Sequence, residues 1–157
     1  MERGRVLKGA LPPIFDNSLK GGNDMMRLTN TAEQTVTTGN SVLFNNVSKT
    51  GCSECHRSGT GSVKMCRRAN YDIYFKANVT GATAGTAVTL ALALNGEVVP
   101  NTAMVYTPAT ANAVGEVSIS YPMYNGCCDY DRVSVVNTGT EDVIISANPL
   151  FVVRRTC

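Results

Sequence analysis

The segment "NYDIYFKANVT", residues 70–80, decides the fold class of this chain. Its apolar residues occupy every second position, namely Tyr71, Ile73, Phe75, Ala77 and Val79. The positions between them carry Asp, Tyr, Lys and Asn. Successive side chains of a strand point to opposite faces, so this period predicts an antiparallel strand with one face in a core and the other towards solvent.

The segment "TAVTLALALNGEVVP", residues 86–100, differs because both of its faces are apolar. One face carries large residues, which are Val88, Leu90, Leu92 and Leu94, and we expect it to lie in the core. The other face carries small residues, which are Ala87, Thr89, Ala91 and Ala93. A small-residue face predicts close approach by a second surface, either the opposite sheet or a neighbouring subunit. Asn95-Gly96 then predicts a tight hairpin.

Further short segments have strand character and are separated by turn residues such as Asn, Gly and Pro. They are "SVLFNNV" (41–47), "GSVKM" (61–65), "EVSISY" (116–121), "RVSVVN" (132–137), "DVIIS" (142–146) and "LFVVRR" (150–155). No segment shows a helical period over ten residues. The sequence therefore predicts an all-β, antiparallel sandwich or jelly roll.

Composition and charge argue against several classes of function. The net charge is only +2 and no basic cluster interleaves with aromatic residues, which argues against a nucleic-acid partner. No apolar stretch is long enough to span a membrane. The chain has a single His, which argues against most acid–base schemes, so we expect no enzyme activity.

The pattern of residues 1–25 predicts an extension of the chain outside the sandwich. We divide the chain into an extended N-terminal arm, residues 1–25, and a jelly-roll domain, residues 26–157. The arm has neither strand nor helix periodicity, and Gly21-Gly22 predicts a flexible joint. Its apolar residues form a candidate anchor for a partner surface, namely Leu11, Pro12, Pro13, Ile14 and Phe15. The alternative is a disordered tail.

Six cysteines without a recognisable signal peptide predict assembly in the cytoplasm followed by exposure to oxidising surroundings, such as a virion surface. A cytoplasmic zinc protein is the other interpretation of many cysteines without a signal peptide. Cys52, Cys55 and His56 spell C-x-x-C-H, the attachment signature of c-type haem. Haem would require export and a second axial ligand, which a Met would have to supply because there is no second His.

Zinc and disulfides are the two other interpretations of the cysteines. Cys52 and Cys55 have the spacing of a tetrahedral zinc site, with His56 or Cys66 as third ligand and Cys127 or Cys128 as fourth. Disulfides would use the six cysteines, namely Cys52, Cys55, Cys66, Cys127, Cys128 and Cys157, and their pairing cannot be read from the sequence. We favour disulfides and expect no cofactor, with zinc as the alternative.

Four motifs together carry a resemblance to a known family: "YDIYFKANVTG", "LALNGEVVPNT", "DRVSVVNTGT" and the final "LFVVR". In this order and spacing the chain resembles the trimeric jelly-roll domains of tumour necrosis factor and complement components. It is most similar to the C-terminal domains of bacterial collagen-like surface proteins and to small cysteine-containing structural proteins of phages and prophages. The resemblance covers roughly residues 26–155.

This resemblance implies a jelly roll of about eight to ten strands that forms a homotrimer. It also implies an attachment or display role rather than catalysis. The chain has no collagen-like repeat, which favours a phage-type capsid decoration protein or head fibre, held by its arm on the major capsid or another shell protein. The alternatives are a surface module that binds a glycan or protein on a cell or spore, and a metal or haem protein built on residues 52–66.

In a jelly roll, the 51–66 loop and the loop "YNGCCDYD" could lie at the same end of the sandwich, where a disulfide between them would hold both loops. Tyr121, Tyr124 and Tyr130 lie close to or within this second loop and predict either an aromatic rim facing a ligand or a cap on the core.

Overall fold

The computed structural model describes residues 25–50, 55–56, 59–65, 69–125 and 131–156. Within these ranges the chain is all β, without a helix. Its strands are β1 (Met25–Thr29), β2 (Gln34–Val36), β3 (Asn46–Thr50), β4 (Cys55–His56), β5 (Ser62–Met65), β6 (Ala69–Gly81), β7 (Val88–Leu94), β8 (Glu97–Val98), β9 (Met104–Tyr106), β10 (Val114–Asn125), β11 (Asp131–Asn137), β12 (Val143–Ile145) and β13 (Leu150–Thr156).

The strands form two antiparallel sheets. Sheet 1 has the order β2-β12-β6-β13-β1-β3, and β10 pairs with the other edge of β6. Sheet 2 has the order β4-β5-β11-β7-β8, and β9 also pairs with β7. The two sheets enclose one core, so the predicted jelly-roll sandwich is confirmed.

Strand β6 is the centre of sheet 1, as its alternation predicts. Its odd-numbered side chains from Tyr71 to Val79 are buried, and the even-numbered ones point away from the core. Beneath it, the Phe151 ring stacks on Phe44 at a centroid distance of 5.3 Å and meets Phe75 edge-on at 6.1 Å. These rings come from both halves of the sequence and pack against one another in the core.

Strand β7 confirms the prediction for the large-residue face, and for the small-residue face it decides against one of the two alternatives. Leu90 and Leu92 belong to the core, and the hairpin follows at Asn95 and Gly96, with φ of 54° and 89°. Ala91 and Ala93 are not part of that core cluster, yet a single chain already buries them. The alternative that a neighbouring subunit covers these two residues is therefore wrong, because almost none of the surface of Ala91 and Ala93 is left exposed.

The segment "SVLFNNV" is less regular than predicted. It makes only isolated bridges, from Ser41 to Val136 and from Phe44 to Thr60, before β3 begins. The cause is a side chain: the Gln34 amide accepts a hydrogen bond from the Leu43 N–H and donates one to the Leu43 carbonyl, both at 2.9 Å. A side chain thus takes the place of a continuous ladder here.

We call the end of the sandwich where β1 begins the proximal end. Met25 of β1 pairs with Arg154, near the end of β13, and the ends of β5 and β10 and the starts of β6 and β11 lie there too. The opposite end, where β6 finishes at Gly81, is the distal end. It carries the loops 82–87, 107–113 and 138–142.

Candidate functional site

The predicted cysteine site falls almost entirely outside the described residues. Only the backbone of Cys55 and His56 is described, as strand β4, which pairs with Lys64 and Val63 of β5. Cys52, Cys66, Cys127, Cys128 and Cys157 lie outside, so the disulfide, zinc and haem hypotheses stay predictions. Within the described ranges, no group of three or more His, Cys, Asp or Glu side chains could hold a metal ion.

The described residues that flank two of these segments are paired with each other. Met65, which precedes Cys66, pairs with Asp131, and Ala69 pairs with Asn125. The connections 66–68 and 126–130 therefore run between the same two pairs, each passing from one sheet to the other at the proximal end. This supports the expectation that the two cysteine loops share one end of the sandwich.

The remaining cysteines also follow strand ends at the proximal end. Thr50, two residues before Cys52, pairs with Met25, and Thr156, just before Cys157, pairs with Asn70. Every cysteine is thus within three residues in sequence of a described residue at this end. Sequence analysis expected a shared end only for the 51–66 loop and the loop "YNGCCDYD". Strand order and register add the positions of Thr50 and Thr156.

Asn95 holds the proximal hairpin of sheet 2 against β11. The sequence analysis identified it only as a turn residue. Its amide donates to Asp131 Oδ1 at 2.8 Å and accepts from the Arg132 N–H at 2.9 Å. Its own N–H donates to the Arg132 carbonyl. The hairpin is therefore tied to the start of β11, directly after the segment that contains Cys127 and Cys128.

The face of sheet 1 that points away from the core carries a groove of about 430 Å³ at the proximal end. It crosses four strands and is lined by Met25, Asp72, Tyr74, Ser120, Val152 and Arg154. A second hollow of about 290 Å³ shares Asp72 and adds Asn70, Tyr71, Pro122, Met123, Tyr124 and Thr156. We call the two together the proximal groove. Met25, the last residue of the predicted arm and the first that the structure describes, lies in its wall.

Exposed ion pairs bridge strands on this face. Arg154 contacts Asp72 at 3.1 Å in the proximal groove, and Lys76 contacts Glu116 at 3.1 Å nearer the distal end. The hydrogen bond and the charge of Glu116 raise the pKa of Lys76 above its ordinary value. Both pairs are about half exposed, so water screens them and they add little stability.

Strand β10 forms an open edge of the sandwich, since it pairs only with β6 among the described strands. Ile119, Tyr121 and Met123 pack against the core yet stay partly exposed. Tyr124 is 64% exposed and suits a rim, whereas Tyr121 caps the core. Tyr130 lies outside the described residues.

The neighbouring edge strand of sheet 2 is β9. Its Tyr106 ring lies directly over Gly115 of β10, where a Cβ would stand 2.2 Å from a ring carbon. Val105 and Val114, the residues preceding these two, are 59% and 62% exposed. At this point the Tyr106 ring covers the gap between the two edge strands, and the exposed Val105 and Val114 lie beside it.

At the distal end, one buried amide holds two loops. The Asn137 side chain is fully buried and donates to the carbonyls of Val36 and Glu141 at 2.9 and 2.8 Å. It also accepts from the Gly139 N–H at 2.9 Å. Its backbone bonds Asn40 and Gly39 on the facing loop, so Asn137 ties loop 138–142 and the segment after Val36 to the end of β11.

The described part of the chain includes no helix that is long and apolar enough to cross a membrane. No protein-family model and no curated protein matches the sequence. Solved structures do match. Murine APRIL at pH 5.0 superimposes with a TM-score of 0.59 and 13% identity, over 84% of this chain and 98% of that one.

Two further structures agree with this match. Eiger TNF from S. frugiperda gives a TM-score of 0.61 at 10% identity, over 85% of this chain and 92% of that one. The globular domain of zebrafish complement 1qA gives 0.60 at 12% identity, over 84% and 95%. The fold is the tumour-necrosis-factor and complement-type jelly roll. At these identities the similarity establishes the fold alone.

Proposed function

We propose that this jelly roll is a non-catalytic, homotrimeric surface module, a phage-type capsid decoration protein or head fibre displayed on a virion. Its arm, residues 1–25, attaches to the major capsid or another shell protein. The observation that carries this proposal is the polarity of the domain. The arm joins at Met25, at the same end as the cysteine-bearing segments and the end of β13, which leaves the distal loops facing outward.

The open edge supports self-association. A long edge strand with exposed apolar side chains is a typical protein–protein contact surface. Here β10 offers twelve residues, Val114–Asn125, and the exposed Val105 and Val114 extend the apolar surface to β9. In a closed ring of three, this edge contacts a different surface of the neighbouring copy. Three arms on one trimer then bind a shell with avidity, although each contact is weak.

Disulfides at the proximal end complete the proposal. A virion surface is an oxidising place in which they persist. The pairing of Met65 with Asp131 and of Ala69 with Asn125 supports a bridge from Cys66 to Cys127 or Cys128. Such a bridge would hold two inter-sheet connections beside the arm. The competing arrangement is a zinc ion on Cys52, Cys55 and further ligands among His56, Cys66, Cys127 and Cys128.

Co-sedimentation with shells assembled from the major capsid protein of the encoding phage or prophage tests the attachment. We expect the full chain to sediment with the shells and the double variant Ile14→Asp/Phe15→Asp to remain in the supernatant. Leu19→Asp, in the same arm but outside the anchor, is the matched control and should sediment. Equal sedimentation of all three proteins would disprove attachment through the anchor.

A binding module for a glycan or protein on a cell or spore surface is the second candidate. The favouring observation is the rigidity of the distal end, where Asn137 joins the loops around Val36 and Glu141. Loops that are already ordered lose less conformational entropy when a ligand binds. Retention of the isolated protein on host cell-wall material, lost on substitution of exposed residues in loop 107–113, would support this candidate. Absence of retention, together with binding to shells, would exclude it.

A further inference from the structure

We propose that the arm segment Leu11–Phe15 packs on the proximal groove of its own chain, over the Arg154–Asp72 ion pair. The arm is thus held on the outer face of sheet 1 in the isolated protein. This inference does not rest on the particle function, because it concerns a contact within one chain.

The position of β1 places the arm beside this groove. Met25 is both the first residue of β1 and part of the groove wall. The linker, residues 16–24, reaches about 30 Å when extended at roughly 3.3 Å per residue. The groove runs from β1 over β13 and β6 to β10, which is three strand spacings or about 14 Å. The segment can therefore reach any part of the groove.

The groove offers apolar surface that the segment would cover. Val152 and Tyr74 stand opposite each other across β13 and β6 and are only half-buried. Pro122 is exposed next to them, and Tyr124 is 64% exposed. Tyrosine and proline surfaces of this kind accept an extended proline-containing segment, which loses little entropy on binding because Pro-Pro is already extended.

Charge also fits this occupant. Arg154 and Asp72 neutralise each other on the groove floor, at a distance of 3.1 Å. The segment "LPPIF" carries no charged side chain. Leu11, Ile14 and Phe15 supply the apolar side chains of this segment. An uncharged, apolar segment on a tether of sufficient length is the occupant that this groove favours.

Photo-crosslinking in the full chain tests the contact. We replace Phe15 by p-benzoyl-L-phenylalanine, irradiate the purified protein and map the products by mass spectrometry. The expected product is a monomeric crosslink to peptides containing residues 72–74, 120–124 or 152–154. Val152→Asp should lower its yield roughly tenfold, the loss expected when apolar contact at one buried side chain is removed. Val98→Asp, at an exposed valine on the other sheet, is the control and should leave the yield unchanged.

Each other outcome overturns the proposal. A crosslinked dimer would show that a second copy, not the same chain, seats the segment. Crosslinks confined to other peptides, or none, would show that the segment does not occupy the groove. Because Val152→Asp could unfold the domain, Tyr124→Ser at an exposed position serves as a second variant, with its melting temperature checked. An unchanged yield in both folded variants also contradicts the inference.

Discussion

At the scale of single residues, Gly115 shows how a sandwich edge closes. Strand β10 runs past β9 so closely that the Tyr106 ring occupies the place of a side chain. Any Cβ at position 115 would stand 2.2 Å from that ring, so the ring or the strand must move. This glycine is required for space and not for an unusual backbone angle.

We therefore expect Gly115→Ala to lower the free energy of unfolding by about 1–3 kcal/mol, the usual cost of overpacking. Ser118→Ala, exposed on the same strand, is the control and should change stability by less than about 0.5 kcal/mol. Urea unfolding measures both. The double variant Tyr106→Ala/Gly115→Ala should show non-additivity, because the clash is gone. Strict additivity would mean that the two residues do not meet.

Asn137 is the second residue whose role depends on its surroundings. Its amide satisfies two carbonyls and one N–H in the interior of the distal end. Removing it leaves these buried groups unpaired, each at a cost of about 1–3 kcal/mol. We expect Asn137→Ala to destabilise the domain by about 2–4 kcal/mol.

Asn137→Asp sharpens this prediction. It keeps an acceptor for the Gly139 N–H but faces the carbonyls of Val36 and Glu141 with an oxygen instead of a donor. It should also be strongly destabilising at neutral pH, whereas Asn78→Ala at an exposed position should not be. Thermal unfolding compares the three. A melting temperature for Asn137→Asp equal to that of the unaltered protein would refute the role of the donated bonds.

At the scale of elements, the important feature is the pairing of the two inter-sheet connections. Met65 opposite Asp131 and Ala69 opposite Asn125 frame both segments at the proximal end. Strand register is set by the alternation of core and surface residues. It therefore determines which cysteine-bearing segments are flanked by strand ends at the same end of the sandwich.

We expect peptide mapping under non-reducing conditions to find Cys66 linked to the peptide containing Cys127 and Cys128. Closing a loop of this length stabilises the fold by about 4 kcal/mol in the chain-entropy model. Reduction, or Cys66→Ser, should therefore lower the denaturation midpoint. Recovery of Cys66 as a free thiol, or stoichiometric zinc in the purified protein, would instead favour the metal site.

At the scale of the whole molecule, the question is what covers the edge between β9 and β10. The alanine face of β7 is closed within one chain, so it is not available for assembly. The partly exposed Ile119, Tyr121 and Met123 are available, as are the exposed valines beside them. Burial of such a strip stabilises association by roughly 25 cal/mol per Å² before the entropic costs.

Native mass spectrometry should accordingly show a trimer. We expect the double variant Val105→Asp/Val114→Asp to shift it to monomer, because charges would be buried in the contact. Val98→Asp, a comparably exposed valine elsewhere, should remain trimeric. A trimer that survives the double variant would place the interface on another surface. The same spectra report two hydrogen atoms lost for each disulfide and any bound metal.

The fold class and most of the strands that build it follow from local sequence patterns. The period of two in "NYDIYFKANVT", the two-faced β7 and the Asn95-Gly96 turn are local signals, since each depends on neighbouring residues along one strand or turn. The structure confirms the alternation in β6, the core position of the large residues of β7, and the hairpin at Asn95 and Gly96. The order of these signals also carried the resemblance that the structural matches confirm at the level of fold.

Contacts between residues far apart in the chain do not follow from such local patterns. The Tyr106 ring over Gly115, the Asn137 amide between two loops and the proximal groove each join segments far apart in the chain. Ala91 and Ala93 show the same limit, since their burial depends on packing and not on their period. Local alternation specifies a face, whereas strand order and register specify the partner of that face, and these are set by the collective packing of the whole core.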